Sequence, residues 1–303
     1  MNGISFNRLR YFFEAVRLKS VRGAADYLNV APSAVSRQIS QLELELNSQL
    51  IERHRRGVRP TEAGDRVLAF YQHHLGEQEL LIDSLQALRG LQSGSLTLAI
   101  GEGYIESISG ILSDFSAHYP AIRINIEICG SNDVIRLIVE DEAHIGILYN
   151  PSRDTKLRTH QSYTHPLCVI TNPEHPLALQ AKAVEIQSLG EHRLALTRVS
   201  HGIRQIVSRV EEDTGITLEP AVVCNNLLLL KNYAKEGGVS LLPDFMVRDE
   251  VRAGSLVAIP LHHRLFAFTE TQIVTRLGRQ HGSGVNKLLQ KITGNLFKEQ
   301  KAS

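Results

Sequence analysis

The chain has 303 residues, 43% of them hydrophobic and 21% charged, and a formal net charge of +1, which suggests two or three globular units. No apolar run approaches the roughly 20 residues that a membrane-spanning helix needs, so a helical membrane protein is excluded. The N-terminus lacks the apolar segment of a secretory signal, and the cysteines are few and far apart, at Cys129, Cys168 and Cys224. We therefore expect a cytoplasmic protein without a disulfide framework.

Positive charge is concentrated near the N-terminus. Residues 1–66 hold 11 lysines and arginines against 7 acidic residues, and ten of these 11 cations are arginine. Arginine is the side chain best suited to bidentate contacts with phosphate and guanine. We therefore expect a nucleic-acid partner here, although composition alone leaves open a solvated, arginine-rich surface.

Three short helices open the chain, and the ranges predicted for them are 6–18, 21–28 and 32–46. Apolar residues of the third helix recur every three or four positions, as on one buried helical face, at Val35, Ile39, Leu42 and Leu46. Pro32 suits the first turn of this helix, where its missing N–H costs nothing. Because only residues 29–31 separate the second helix from the third, the pattern is typical of a helix-turn-helix.

A wing and a long helix follow. Two short apolar segments, 50–53 and 58–60, flank a polar tip and predict a two-stranded wing. Thr61 is placed to cap a long helix, with Glu62 favourably placed at its N-terminal dipole. The helix runs without Gly or Pro from Asp65 to Leu75 and continues to about Arg89. Its apolar residues alternate as heptad positions, with Gln78 as a polar interruption. We predict that this helix pairs with a second copy, the alternative being packing onto its own domain, through Leu68, Tyr71, Leu75, Ile82 and Leu85.

Strands and helices alternate through the rest of the chain. The predicted strands lie at 96–100, 123–128, 145–148, 167–170, 221–223 and 239–242. The predicted helices lie at 107–118, 133–141, 200–214 and 227–236. Such alternation predicts parallel sheets flanked by helices, and the length allows two lobes rather than one sheet.

A dense signature lies between residues 12 and 64. It comprises the run AADYLNVAPSAVSRQISQLE at 24–43, then LIER at 50–53 and TEAG at 61–64. In this order the segments resemble the DNA-binding domain of LysR-type transcriptional regulators. Looser matches to the effector domain of that family continue through 96–101, 115–120, 175–178 and 236–243.

The resemblance implies an N-terminal all-α winged helix-turn-helix with a long linker helix, and a C-terminal α/β, two-lobed effector domain like periplasmic binding proteins. It divides the chain into a DNA-binding domain at 1–60, a dimerisation helix at 61–91 and an effector-binding domain at 92–303. Within the last, lobe I comprises 95–163 and 270–303, and lobe II comprises 164–269.

The resemblance also implies which side chains contact double-stranded DNA. Short hydroxyls and one long bidentate donor on the third helix suit the major groove, and wing arginines would hold the backbone or probe the minor groove. The expected set is Ser33, Ser36, Arg37, Ser40, Gln41, Arg53, Arg55 and Arg56. For Ser40 and Gln41, plain helix surface is the alternative. Ala31 and Pro32 stand where many members have a polar cap and a glutamine, so the recognised half-site is expected to differ.

By the same resemblance, the cleft between the lobes binds a small-molecule effector, and the chain crosses between lobes near 162–165 and 267–270. Strand ends and helix N-termini converge in such a cleft. The expected lining is Glu102, Tyr104, Ser131, Asn132, Thr197, Arg198, Ser200 and Asn225. Glu102 would select a cationic or hydroxyl-bearing ligand, or point to solvent. Arg198 would pair with Glu102 or bind a ligand carboxylate, and we expect an organic acid.

No enzymatic pattern is present, so we expect no catalysis, no metal and no cofactor. Residues 200–202 lack the nucleophile elbow, and Gly101 and Gly103 lack a third glycine for a dinucleotide. The preferred hypothesis is a ligand-controlled regulator that binds an inverted-repeat operator as a homodimer or homotetramer. The alternatives are a thiol-redox sensor of the same architecture, using Cys129, and a solute-binding protein, which the helix-turn-helix disfavours.

Overall fold

A computed structural model describes residues 4–54, 57–88, 94–180, 182–198 and 201–297. The chain forms two compact units, one of Met1–Arg89 with Arg279–Gly282, the other of Gly90–Gly278 with Ser283–Ser303. Each unit has a hydrophobic core of its own. No helix in the described ranges combines the length and the apolar character that crossing a membrane requires.

The first unit opens with three helices, whose ends lie within one residue of the prediction: α1 Phe6–Arg17, α2 Val21–Leu28 and α3 Pro32–Leu46. Local signals set these ends. The Ser20 hydroxyl accepts a hydrogen bond from the amide of Gly23 at 3.0 Å and caps α2. Asn29 ends α2 in the left-handed conformation, with φ 55°, which asparagine tolerates better than most residues.

Close packing between α2 and α3 fixes the orientation of α3. Ala24 and Ala25 are fully buried on α2, and their small side chains allow α3 to cross closely. Val35, Ile39 and Leu42 form the buried stripe of α3. The opposite side of α3 is therefore left to solvent.

The wing consists of β1 Ile51–His54 and β2 Gly57–Pro60, which pair antiparallel. The long helix α4 spans Glu62–Leu88 and begins directly after the predicted cap, Thr61. The Thr61 hydroxyl accepts a hydrogen bond from the Gly64 amide at 3.0 Å, the cap that the sequence predicts. A Cβ on Gly64 would lie 2.2 Å from the Leu50 carbonyl oxygen, so the helix meets the chain before the wing too closely for a side chain.

The second unit contains two five-stranded sheets, which define two lobes. Lobe I is built from β3 Gly94–Ile100, α5 Ile105–His118, β4 Ile122–Ile128, α6 Ser131–Val139, β5 Ile145–Tyr149, β6 Leu157–Thr164, β12 Glu270–Arg276 and α12 Ser283–Asn295, with strand order β4-β3-β5-β12-β6. Lobe II is built from β7 Leu167–Thr171, α7 Pro176–Leu179, β8 Leu194–Thr197, α8 Gly202–Thr214, β9 Val222–Cys224, α9 Leu227–Lys235, β10 Val239–Pro243, α10 Arg248–Arg252, β11 Val257–Pro260 and α11 Arg264–Ala267, with strand order β11-β7-β10-β8-β9.

The sheets are mixed, so the prediction of parallel sheets is wrong in part. In lobe I, β12 runs antiparallel to both β5 and β6, and in lobe II, β7 runs antiparallel to β10 and β11. The chain leaves lobe I through β6 and returns through β12, so the two strands run in opposite directions in one sheet. Strand β6 escaped prediction because it is a polar edge strand, LRTHQSYT, without a clear apolar period.

Both passages between the lobes lie within the segments that the sequence indicates. The His165 amide donates to the Thr269 carbonyl oxygen at 2.8 Å and joins the two passages. The buried Tyr149 hydroxyl donates to the His165 carbonyl oxygen at 2.9 Å. Lobe I thus holds the connecting segments through buried hydrogen bonds.

The N-cap of α3 is Ala31, which lacks a capping side chain. It has the extended backbone of an N-cap residue, with φ −70° and ψ 141°, but no side chain that can accept a hydrogen bond for α3. We expect Ala31→Ser to stabilise this region by about 1 kcal/mol, since a serine N-cap satisfies a free amide of the first turn. Hydrogen exchange of residues 21–46 in the full chain measures the change. Ser20→Ala, which removes the cap of α2, should weaken protection by a similar amount; faster exchange in the Ala31 variant would contradict the cap argument.

Candidate DNA-binding and effector-binding sites

The predicted DNA-contacting residues of α3 lie on one side of that helix. Ser33, Arg37 and Ser40 are three or four residues apart, exposed, and opposite the buried stripe, and Ser36 is half-buried on the same side. Gln41 is also exposed, at the edge of this row. The fold therefore presents hydroxyl groups and one guanidinium together on a convex helical surface.

The wing adds a second arginine to this surface. Arg53 on β1 is exposed, and its Nη2 lies 3.5 Å from the Ser36 hydroxyl oxygen. Among the described residues, neither Arg37 nor Arg53 has an acidic partner, whereas Arg8 on α1 forms an ion pair with Glu45. These two guanidinium groups are therefore available for phosphates or base edges. Arg55 and Arg56 lie outside the described residues.

The long helix α4 divides its apolar residues between two faces. Tyr71 is only 6% exposed and packs against Phe13, with ring centroids 5.4 Å apart; burial raises the pKa of its hydroxyl. Leu68 and Leu75 pack against the same core. The prediction that Tyr71 faces a second copy is therefore corrected, because its side chain is used within its own unit.

A different row of α4 is exposed. Phe70, Leu81 and Leu85 are 48%, 58% and 51% exposed, and their spacings of 11 and 4 place them on one side of the helix. Ile82 is 47% exposed and lies beside this row. Exposed apolar residues in such a row mark an interaction surface.

The cleft between the two lobes of the second unit holds the candidate effector site. Its enclosed space is small, with room for about one water. Its described lining comes from both lobes: Gly101, Glu102, Gly103, Tyr104, Cys129, Ser131 and Tyr149 of lobe I, and His201, Ile203, Leu227, Pro243, Phe245 and Met246 of lobe II. The lobes approach closely at Gly202, where a Cβ would lie 2.7 Å from the Tyr149 carbonyl oxygen.

Glu102 makes a specific contact across this cleft. Its Oε1 accepts a hydrogen bond from Asn226 Nδ2 at 2.8 Å, and its Oε2 accepts one from the Leu227 amide at 2.8 Å. The carboxylate therefore caps α9 of lobe II, where a helix N-terminus favours negative charge. This contact corrects two expectations, because Glu102 neither points to solvent nor pairs with Arg198, which is exposed and outside the cleft.

The other predicted effector residues divide into two groups. Tyr104 and Ser131 line the cleft with their hydroxyl groups already engaged, Tyr104 with Thr271 at 2.9 Å and Ser131 with the Tyr149 carbonyl oxygen at 3.0 Å. Three predicted residues besides Arg198 are absent from its described lining: Asn132, Thr197 and Asn225. Thr197 is buried, and its hydroxyl has no hydrogen-bond partner among the residues that the structure describes. Ser200 lies outside the described residues.

Sequence reasoning missed Tyr149, Phe245 and Met246. Tyr149 ends β5, and Phe245 follows β10 by two residues, so the carboxyl ends of two buried strands could have indicated both. His201 precedes α8 directly, and burial lowers the pKa of its imidazole below the ordinary value, so it is neutral at pH 7. No comparable local signal points to Met246.

The described lining of the cleft contains one acidic side chain, Glu102, and no lysine or arginine accompanies it. The organic acid that we expected from the sequence would therefore meet a carboxylate and no cationic side chain in this lining. Nor do three or more His, Cys, Asp or Glu side chains come together as a metal site in the described part of the chain.

Comparison with known proteins places both units in one family. Residues 6–65 match the bacterial regulatory helix-turn-helix proteins of the lysR family, and residues 89–296 match the LysR substrate binding domain. The HTH-type transcriptional regulator CfxR of Cupriavidus necator is 25% identical over 84% of this chain and 81% of its own length. CbbR of Rhizobium meliloti is 26% identical over 86% of this chain and 83% of its own length.

Solved structures agree in fold. A full-length OxyR variant from Pseudomonas aeruginosa has a TM-score of 0.66 at 19% identity, with 98% of this chain and 96% of OxyR covered. Full-length BenM has a TM-score of 0.54 at 24% identity, with 98% of each chain covered. With both of its units matched, the chain belongs to the LysR family of bacterial transcriptional regulators.

Proposed function

We propose that this regulator reads operator DNA with the exposed side of α3 and responds to a small molecule bound between the lobes of its second unit. The observation that carries the proposal is the row of Ser33, Ser36, Arg37 and Ser40 opposite the buried stripe of α3, with Arg53 of the wing beside it. Hydroxyl and guanidinium groups on a helix suit base edges and phosphates of the major groove.

We assign the DNA-binding domain to residues 1–60, the linker helix to 61–91 and the effector-binding domain to 92–303. Its lobe I comprises 95–163 and 270–303, and its lobe II 164–269. We propose that the protein acts by binding alone, without catalysis, in the cytoplasm, where bacterial operators lie. One helix-turn-helix reads one half-site, so two copies read an inverted repeat.

Arg37 provides the direct test of the DNA-binding surface. We expect Arg37→Ala to weaken operator binding by about 1–3 kcal/mol, because the variant loses a charge-assisted contact with a phosphate or a base. The operator is first selected from random-sequence duplexes with the wild-type chain, and affinities are measured by gel shift at several salt concentrations. If Arg37 contacts phosphate, the salt dependence should fall by about one counterion.

The matched control is Arg209→Ala, since Arg209 is an exposed arginine on α8 of lobe II and its loss changes the net charge equally. The control should bind the operator as the wild type does, and sedimentation should show the same oligomer for both variants. Equal affinity of the Arg37 variant and the wild type would remove α3 from the proposed reading surface.

Self-association is proposed through the exposed row of α4. Phe70, Leu81 and Leu85 would face a second copy, with Ile82 beside them, while Leu68, Tyr71 and Leu75 hold the helix on its own unit. Separate apolar patches in the second unit, Ile126 and Ile128 on the edge strand β4 and Val223, Leu228 and Leu229 in lobe II, would support pairing of effector domains and hence a homotetramer.

Leu81 tests the proposed α4 interface. Leu81→Asp should raise the dissociation constant of the α4-mediated dimer at least about tenfold, because it places a charge in an apolar contact. Sedimentation equilibrium of the full chain measures this change. Leu179→Asp is the control, since Leu179 is 73% exposed on α7 and lies outside the row. Equal dissociation constants for the Leu81 and Leu179 variants would place the interface elsewhere.

A thiol-redox sensor is the second candidate, and the cysteines weigh against it. Burial, reinforced by the negative charge of Asp133, raises the pKa of Cys129 to about 11, and burial raises that of Cys168 to about 12. A reactive sensor thiol needs the opposite shift, since the thiolate is the nucleophile. Cys129 is therefore a protonated, slowly reacting thiol at neutral pH.

Alkylation by iodoacetamide checks this assignment. Because the pKa of Cys129 lies about two units above its ordinary value of 9.0, the thiolate at pH 7.5 is about a hundredfold scarcer in the folded than in the urea-unfolded chain. The rate at Cys129, followed by mass spectrometry, should be lower in the folded chain by a similar factor and rise with pH. Asp133→Asn should accelerate it, while the exposed, distant Asp249→Asn should not. Equal rates for folded and unfolded chains would revive the redox alternative.

A further inference from the structure

We propose that the effector of this regulator has an apolar body and a positively charged group, and that Glu102 is its counter-charge in the cleft. This inference rests on the proposed function, because it takes the space between the lobes as the effector site. It names the chemical class that the lining selects.

The surface of the cleft sets the apolar part of the ligand. The enclosed space has room for about one water, so a ligand with one ring or a short branched chain requires the lobes to move apart. The rings of Tyr104 and Phe245 are stacked with centroids 5.2 Å apart, and Leu227, Ile203 and Met246 complete the apolar wall. Because the two rings stack on each other, they supply apolar surface rather than a free aromatic face.

Glu102 retains the capacity to bind such a ligand. A carboxylate has about four lone-pair sites on its two oxygens, and here Asn226 and the Leu227 amide use one on each. These donors hold the carboxylate in a fixed position at the cleft. A ligand ammonium can therefore reach a positioned anion without displacing its existing partners.

Helix N-termini are the strongest argument for an anionic ligand instead. Both α6 and α8 begin beside the cleft, at Ser131 and Gly202, and helix N-termini favour anions. A ligand carboxylate in this cleft, however, would share it with the Glu102 carboxylate and would find no lysine or arginine in the described lining. Glu102 itself supplies the negative charge that α9 would otherwise attract.

A lysine beside the cleft does not reverse this balance. Lys231 on α9 lines the adjoining surface hollow, and it is 7% exposed. Its ammonium is 2.8 Å from a carboxylate oxygen of Glu250 and 3.4 Å from one of Glu106, so two acids already neutralise it. A ligand acid would have to compete with both.

Three probes that share one ring separate the effect of charge from that of the apolar body: benzylamine, benzyl alcohol and benzoate. Their affinities for the full chain are measured by calorimetry at pH 7.5. We expect benzylamine to bind at least about tenfold more tightly than benzyl alcohol, and benzoate to bind most weakly. Glu102→Gln should abolish the preference for the amine while leaving the affinity for the alcohol within about twofold.

The matched control is Glu212→Gln, which removes an equal charge from an exposed side chain on α8 that is absent from the described lining of the cleft. It should keep the preference for the amine, whereas Glu102→Gln should lose it. A benzoate affinity equal to or above that of benzylamine, equal effects of the two variants, or no binding of any probe at millimolar concentration overturns the proposal. Operator binding is measured in the same samples and does not depend on these outcomes. Failure of the wild-type chain to bind the operator would instead refute the proposed function.

Discussion

The close crossing of α2 and α3 is the constraint on which the DNA-binding surface depends. Ala24 and Ala25 have no exposed surface, and the stripe of α3 from Val35 to Leu42 fills the space against the neighbouring helices. Because one side of α3 is committed to this core, Arg37 must point away from it. Overpacking such a contact costs about 1–3 kcal/mol and moves the helix. Small residues at 24 and 25 therefore determine which side of α3 faces solvent.

Polar contacts hold the two lobes of the second unit to each other. The Glu102 carboxylate, held by Asn226 and the Leu227 amide, ties the loop after β3 to the start of α9. A ligand can shift the arrangement of the lobes only by binding one arrangement more tightly than another. The group that recognises the ligand in our proposal is thus also a group that links the lobes.

Local signals account for what the sequence predicts well. Ser20, Asn29 and Pro32 mark helix ends in the first unit, and the observed bounds follow them to within one residue. The heptad pattern of α4 was less informative, because an apolar repeat does not distinguish a helix's own core from a second copy, and Tyr71 packs within its own unit. The antiparallel pairing of β12 with β6 could not be predicted either. The two strands are more than a hundred residues apart, and no local pattern encodes the direction of β12.

The contacts of Glu102 in the cleft are the part of the site that the sequence alone predicts least well. Glu102 looked equally compatible with solvent, with Arg198 and with a ligand, since each possibility is chemically reasonable for a carboxylate after a strand. The choice is made by a helix that begins 125 residues later, whose first amide lies 2.8 Å from Glu102 Oε2. Once that contact is known, Arg198 no longer offsets the charge, and the described lining carries one anion on an apolar wall. The negative charge of the site therefore follows from tertiary contacts, which no local pattern around Glu102 encodes.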